Sequence, residues 1–292
     1  MLEFIKMVLK GAVIGIANIV PGVSGGTMAV SMGIYDVVIH AITHLLKEFK
    51  KSIKTVIPIA IGAVIGIVGV ARIIEFMFIK IPVQTNLLFI GLILGGIPLI
   101  NHKIKGKSIR FSQIIAFFLF FALVVVMAII GEGSGKEAIL HNDASSIIKM
   151  FVVGVVASAT MVIPGVSGSM VLLLIGFYNP VLSMVNDFVS ALVAMRVEEI
   201  LSLCVLLVPF GLGVVIGIFA IAKLVEILLS KYPNVSYSGI LGLIVASPFA
   251  ICYMNLDAFS SVQYLTAEGI LTIVTSILAF AVGFFIAKKL GD

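Results

Sequence analysis

Two short strings carry the residues best suited to chemistry. Pro21-Gly22-Val23-Ser24-Gly25-Gly26-Thr27 and Pro164-Gly165-Val166-Ser167-Gly168-Ser169-Met170 stand at matching points in the two halves of the chain. Each interrupts an apolar stretch that reads as helix on both sides. Proline and glycine stop a helix there. A helix that restarts after the string points unpaired N–H groups and the positive end of its dipole at the break. Ser24 and Thr27 in the first copy, and Ser167 and Ser169 in the second, add hydroxyl donors. Gly25, Gly26 and Gly168 let backbone approach a ligand closely. Such an arrangement binds anions, with phosphate the natural guest. Asn18 adds a side-chain donor in the first copy, where the second has Met161. Ser169 and Met170 replace Gly26 and Thr27, so the two tips are not equivalent. The plainer reading is that these glycines pack helices and these serines cap them. Duplication at the centre of both halves favours the ligand site.

A second constellation is charged. Arg72/Glu75 and Lys223/Glu226 are spaced i, i+3 within apolar segments, so each pair shares one helix face. Charges in such segments are expensive and face a pathway or a partner. One reading is a cation that meets a phosphate, held by its glutamate. The other is an ion pair near the interface with a snorkelling side chain. Glu75 or Glu226 would also suit a coupling proton, though nothing in the sequence requires one. His40 and His44, at i, i+4, have no third ligand evident in the sequence and read as an interfacial amphipathic turn. No metal site or cofactor signature is expected. Asp36 and Asn179 read as caps or hairpin-packing residues. Gly22-Val23-Ser24-Gly25 matches the G-x-S-G string of intramembrane serine proteases. That chemistry needs a base near the serine. No histidine lies in the later apolar runs, and two inverted nucleophiles would be odd, so an enzyme is not expected.

The elements that must hold these residues are set by composition. Of 292 residues, 61% are hydrophobic and 11% charged, against about 25% charged in soluble domains. Mean hydropathy is +1.27. This excludes a soluble globular enzyme, a disordered chain and a disulfide scaffold. Cys204 and Cys252 are isolated in apolar segments. The net charge of +5 comes from basic loops between apolar runs, so it speaks for lipid head groups and topology, not nucleic acid. The N-terminal apolar run has no small-residue cleavage site and recurs later, so it is structure, not a signal peptide.

The chain is duplicated. At one constant offset Gly11, Gly33 and Tyr35 match Gly154, Gly176 and Tyr178, together with the Pro-Gly-Val-Ser-Gly strings. At a second offset Pro58, Gly62, Gly66, Arg72, Glu75, Pro82 and Gly91 match Pro209, Gly213, Gly217, Lys223, Glu226, Pro233 and Gly242. The halves are 1–130 and 147–292. Each has a broken stretch (4–46 and 147–185) followed by three apolar runs (55–79, 84–100 and 111–130; 200–229, 237–254 and 268–287). The first arm of the broken stretch is about 17 residues, near 25 Å of helix and short of a full span. A break at membrane depth is tolerated only inside protein or beside a wet cavity. Each broken stretch therefore reads as a re-entrant hairpin of two short helices with the motif at its tip.

Loop charge orients these parts. Loops 47–54 and 101–110 are basic; 131–146, 186–199 and 255–268 are acidic; Lys288 and Lys289 close the chain. A cytoplasmic N-terminus puts each of these on its expected side and the C-terminus inside as well. Only Lys80 goes against the trend. Each half crosses an odd number of times, so the copies are inverted, with Arg72 towards the outside and Lys223 towards the inside. The fold class expected is an all-α polytopic membrane protein of two inverted repeats.

The doubled PGVSGGT and PGVSGSM motifs, the duplicated halves and the length resemble a family of bacterial and archaeal membrane proteins. That family was long catalogued as a domain of unknown function. It is now described as polyprenyl-phosphate (undecaprenyl-phosphate) transporters. The resemblance covers nearly the whole chain. It implies a flippase of the cytoplasmic membrane that returns the lipid carrier of cell-wall synthesis from the outer to the inner leaflet. The partners implied are that lipid phosphate and the surrounding membrane lipids, with homo-oligomerisation left open. A small-anion channel or exchanger using the same helix termini is the main alternative.

Overall fold

Backbone N–H and C=O groups cannot be left unpaired in hydrocarbon, so these apolar runs fold as helices. The structure, a computed structural model, describes residues 2–20, 23–104, 109–130, 137–263 and 265–291. Among the described residues there is no strand. In chain order the helices are α1 (Leu2–Ile19), α2 (Gly25–Ser31), α3 (Tyr35–Thr43), α4 (Phe49–Lys80), α5 (Pro82–Leu94), α6 (Ile97–Lys103) and α7 (Phe111–Ile130). The second half holds α8 (Ala144–Val162), α9 (Gly168–Leu174), α10 (Tyr178–Val193), α11 (Val197–Lys231), α12 (Pro233–Met254), α13 (Leu256–Ser260) and α14 (Ala267–Gly291).

Among the described residues, seven spans are long and apolar enough to cross a membrane: α4, α5 with α6, α7, α8, α11, α12 and α14. The protein is a multi-pass α-helical membrane protein. Its outer faces are apolar, as at Val68, Phe76, Phe118, Leu119, Ile277 and Phe285, and suit a lipid solvent. α4 and α11 begin a few residues before the apolar runs, and Pro58 and Pro209 sit inside them without ending them.

The stretch that follows each Pro-Gly-Val-Ser-Gly string is divided in two. α2 and α3 meet at 118°, and α9 and α10 at 113°. Gly33 and Gly176 stand at these bends with φ of +69° and +76°, a region glycine enters without penalty. α2 is only seven residues long, about 10 Å of helix.

Helix packing repeats between the halves. α1 lies along α4 as α8 lies along α11, and α5 lies along α14 as α12 lies along α7. The contacts correspond residue by residue. A β-carbon at Gly62 would overlap the Val8 carbonyl, and one at Gly213 the matching Phe151 carbonyl; Gly11 against Ile59 is repeated as Gly154 against Phe210. Small residues let helix backbones touch where no hydrophobic force drives them together. α5–α14 and α12–α7 each join the two halves, so neither half stands apart.

The halves differ at their centres. All of α2 is buried, and Ser31 Oγ donates to the Ile93 carbonyl of α5 at 3.1 Å. In α9 only Met170 is buried. α3 packs on α11, whereas α10 makes no comparable contact with α4. α8 is fixed at its start by Asp143, which accepts the Ser146 N–H at 2.7 Å. That bond holds the Asp143 carboxyl below the usual aspartate range.

Candidate functional site

The two tips touch. Gly165 N–H donates to Thr27 Oγ1 at 2.7 Å, and both groups are buried. A β-carbon at Gly26 would lie 3.3 Å from Pro164 Cα, so only glycine lets the tips sit this close without crowding. Gly165 has φ of +78°, which again calls for glycine. A third tie comes from Tyr35, whose hydroxyl donates to the Val162 carbonyl at 3.0 Å.

On the first tip, Pro21 and Gly22 lie outside the described residues. Ser24 occupies the cap position of α2 in extended conformation, yet its side chain makes no cap bond. Asn18 takes that role: its Oδ1 accepts the Gly25 N–H at 3.0 Å. Ser24 Oγ is consequently buried with no partner among the described residues. Buried hydroxyls without a partner are rare in native structures and call for an explanation. On the second tip Ser167 Oγ lies 3.0 Å from Ser169 Oγ. Ser167 is buried, Gly168 half-buried and Ser169 exposed. The structure thus sets Gly26 and Thr27 against Pro164 and Gly165, with Asn18 bonded to Gly25 on the first tip. Ser167, Gly168 and Ser169 follow on the second tip.

A cavity of about 440 Å³ adjoins the second tip. Ile163 and Pro164 of the tip line it, with Phe120 of α7, Leu224 and Leu228 of α11, Leu243 of α12, and Tyr35. Its walls are almost entirely carbon. Leu224, Leu228 and Tyr232 also stand exposed at the molecular surface, so the cavity opens on that side. Composition hid this feature, because its walls come from helices far apart in the chain.

The charged pairs differ from each other. Lys223 Nζ donates to Glu226 Oε2 at 2.6 Å. The other oxygen, Oε1, lies 3.4 Å from His40 Nδ1 and 3.2 Å from His44 Nδ1. Arg72 and Glu75 are exposed and form no ion pair among the described residues. Among the described residues the shared i, i+3 spacing yields an ion pair at Lys223–Glu226 and none at Arg72–Glu75. No hydrogen bond joins either pair to the tips among the described residues. Asp36 Oδ2 accepts from Lys103 Nζ at 2.9 Å and from the Tyr237 hydroxyl at 2.8 Å, tying α3 to α6 and α12. Asn179 donates to Glu137 at 2.7 Å.

Broken helices meeting inside a multi-pass bundle are a recurring feature of membrane transporters. The chain belongs to the undecaprenyl phosphate translocase-like family, whose model matches residues 14–263. It is 29% identical over 290 residues to a polyprenyl-phosphate transporter of Staphylococcus aureus, covering 97% of this chain and 95% of that one. It is 30% identical over 260 residues to a polyprenyl-phosphate transporter of Vibrio cholerae, covering 84% of this chain and 77% of that one. No solved structure matches the chain. Family and relatives are transporters, which sets the hydrolase reading aside.

Proposed function

We propose that the protein carries a polyprenyl phosphate across the cytoplasmic membrane, with the phosphate between the two tips and the tail in the groove beside Pro164. The groove is the observation that carries this reading. A site for a small free anion has no use for a carbon-walled cavity opening sideways from its edge. A lipid phosphate needs one, so that its tail stays in apolar surroundings while the head group crosses. Lipid is as apolar as the groove, so tail transfer changes the free energy little. Selection falls to the head group.

The head group is the expensive part, since charge at the bilayer centre costs several kcal/mol or more. Ser24 Oγ, the first-turn N–H groups of α2 and α9, and Thr27, Ser167 and Ser169 are its donors in this reading. Gly26 lets the two tips pack closely, Gly168 sits beside Thr160, and Asn18 fixes Gly25. Arg72 and Lys223, with Glu75 and Glu226, would attend the phosphate at the two mouths.

We further read the halves as inverted repeats with both termini cytoplasmic. The exchange of helix pairings between the halves supports the first, and the alternation of loop charge the second. The unequal packing of α3 on α11 and of α10 on α4 fits one end of an alternating-access cycle. The direction, outer to inner leaflet for reuse in envelope synthesis, is the one the family resemblance implies.

Native mass spectrometry of the purified protein tests binding. One polyprenyl phosphate per chain is expected, retained against millimolar inorganic phosphate. Displacement by free phosphate would favour a small-anion exchanger instead.

A further inference from the structure

We infer that His40, His44 and Glu226 form a binding site for a divalent transition-metal ion of the zinc class, bridging the two halves of the chain. Nothing in the transport reading requires it. The two histidines lie one turn apart on α3, and their rings stack with centroids 4.1 Å apart at 29°. Both therefore present their nitrogens to the same side. α11 packs against that side and supplies Glu226. One ligand atom from each residue lies within 4.8 Å of the others.

The distances suit the ion. Ligands at about 2.0–2.1 Å around a tetrahedral zinc are separated by about 3.3–3.4 Å. The Oε1-to-Nδ1 distances are 3.4 Å to His40 and 3.2 Å to His44. Lys223 binds the other carboxylate oxygen, which leaves Oε1 as the monodentate ligand and fixes its direction. A carboxylate held this way beside imidazoles resembles the outer-shell support common around metal ligands. Two imidazoles with one carboxylate favour zinc, copper or nickel over magnesium or calcium, which demand oxygen. Three protein ligands leave a fourth position for water. His40 is exposed, and His44 and Glu226 are partly so, giving an ion access from solvent. An occupied site would pin α3 to α11.

The test uses tag-free protein in detergent, stripped with chelator and titrated with zinc chloride by calorimetry, with magnesium chloride as comparison. One zinc per chain is expected, with no heat from magnesium. His44→Ala and Glu226→Gln should each weaken zinc binding at least tenfold while circular dichroism keeps the helical signal. His44→Gln serves where His44→Ala does not fold. X-ray absorption at the zinc edge should show imidazole and oxygen ligands. No saturable zinc binding would overturn the inference. So would unchanged affinity in the His40→Ala/His44→Ala double variant, or a sulfur-dominated shell from Cys204 or Cys252.

Discussion

Ser24 and Thr27 are three residues apart and do opposite work. Thr27 Oγ1 accepts a backbone N–H from the other tip, whereas the Ser24 hydroxyl, also buried, has no partner among the described residues. Removing a buried unpartnered hydroxyl is close to neutral for stability, while stranding a buried N–H costs about 1–3 kcal/mol. Ser24→Ala should therefore melt no lower than the parent in a detergent thermal shift, yet bind lipid phosphate about tenfold more weakly. Thr27→Val should melt several degrees lower, and Thr27→Ser should recover most of the loss. A common loss of stability in Ser24→Ala and Thr27→Val would mean that both hydroxyls only brace the tips. Both residues were legible in the sequence because the motif is doubled. Their roles were not, since Gly165 is far away in the chain and spacing cannot say which hydroxyl meets it. Glu226 was likewise read with Lys223 alone. The histidines that face it sit in the other half of the chain.

At the scale of helices, glycines on one helix have unequal roles. In α4 a β-carbon at Gly62 would strike the Val8 backbone, whereas one at Gly69 would meet nothing within 4 Å. Gly62→Ala should cost about 1–3 kcal/mol through overpacking. Gly69→Ala should be neutral or raise stability by up to about 1 kcal/mol through helix propensity. The same contrast is expected in α11 between Gly213 and Gly211. Retained detergent-solubilised monomer after heating measures both; equal effects at Gly62 and Gly69 would deny the α1–α4 contact. The start of α8 responds to pH. The Asp143 carboxyl is held below its usual range, so the bond contributes stability above the unfolded-state value. That contribution is lost as pH falls through the lower folded-state value. The melting difference between the parent and Asp143→Ala should accordingly shrink as pH is lowered through the acidic range. Hydropathy made the long helices legible to within several residues. It could not show the bends at Gly33 and Gly176, because α2 and α9 are only seven residues each and carry no period of their own.

Across the whole molecule, charge is scarce, and position gives it meaning. Most charged residues stand in loops or near helix ends, and few, among them Arg72, Glu75, Lys223 and Glu226, lie deeper in the long helices. Lys223 and Glu226 join histidines at the packed α3–α11 contact, while Arg72 and Glu75 stand exposed on α4, which α10 does not cover in the same way. The duplication was readable in the chain, but the pairing of α5 with α14 and α12 with α7 was not. Apolar helices of similar length carry little to say which neighbours they choose. The groove beside Pro164 emerges only from that pairing. Leu228 lines it and is partly exposed, so Leu228→Trp should fill it without burying new polar atoms. The most direct measurement is leaflet exchange in reconstituted vesicles. A polyprenyl phosphate placed in one leaflet is followed by its accessibility to an external phosphatase. Wild-type protein should move the lipid between leaflets, and Leu228→Trp and Ser24→Ala should slow it at least tenfold. Lipid that stays in its leaflet while inorganic phosphate crosses would contradict transport of a lipid-linked phosphate.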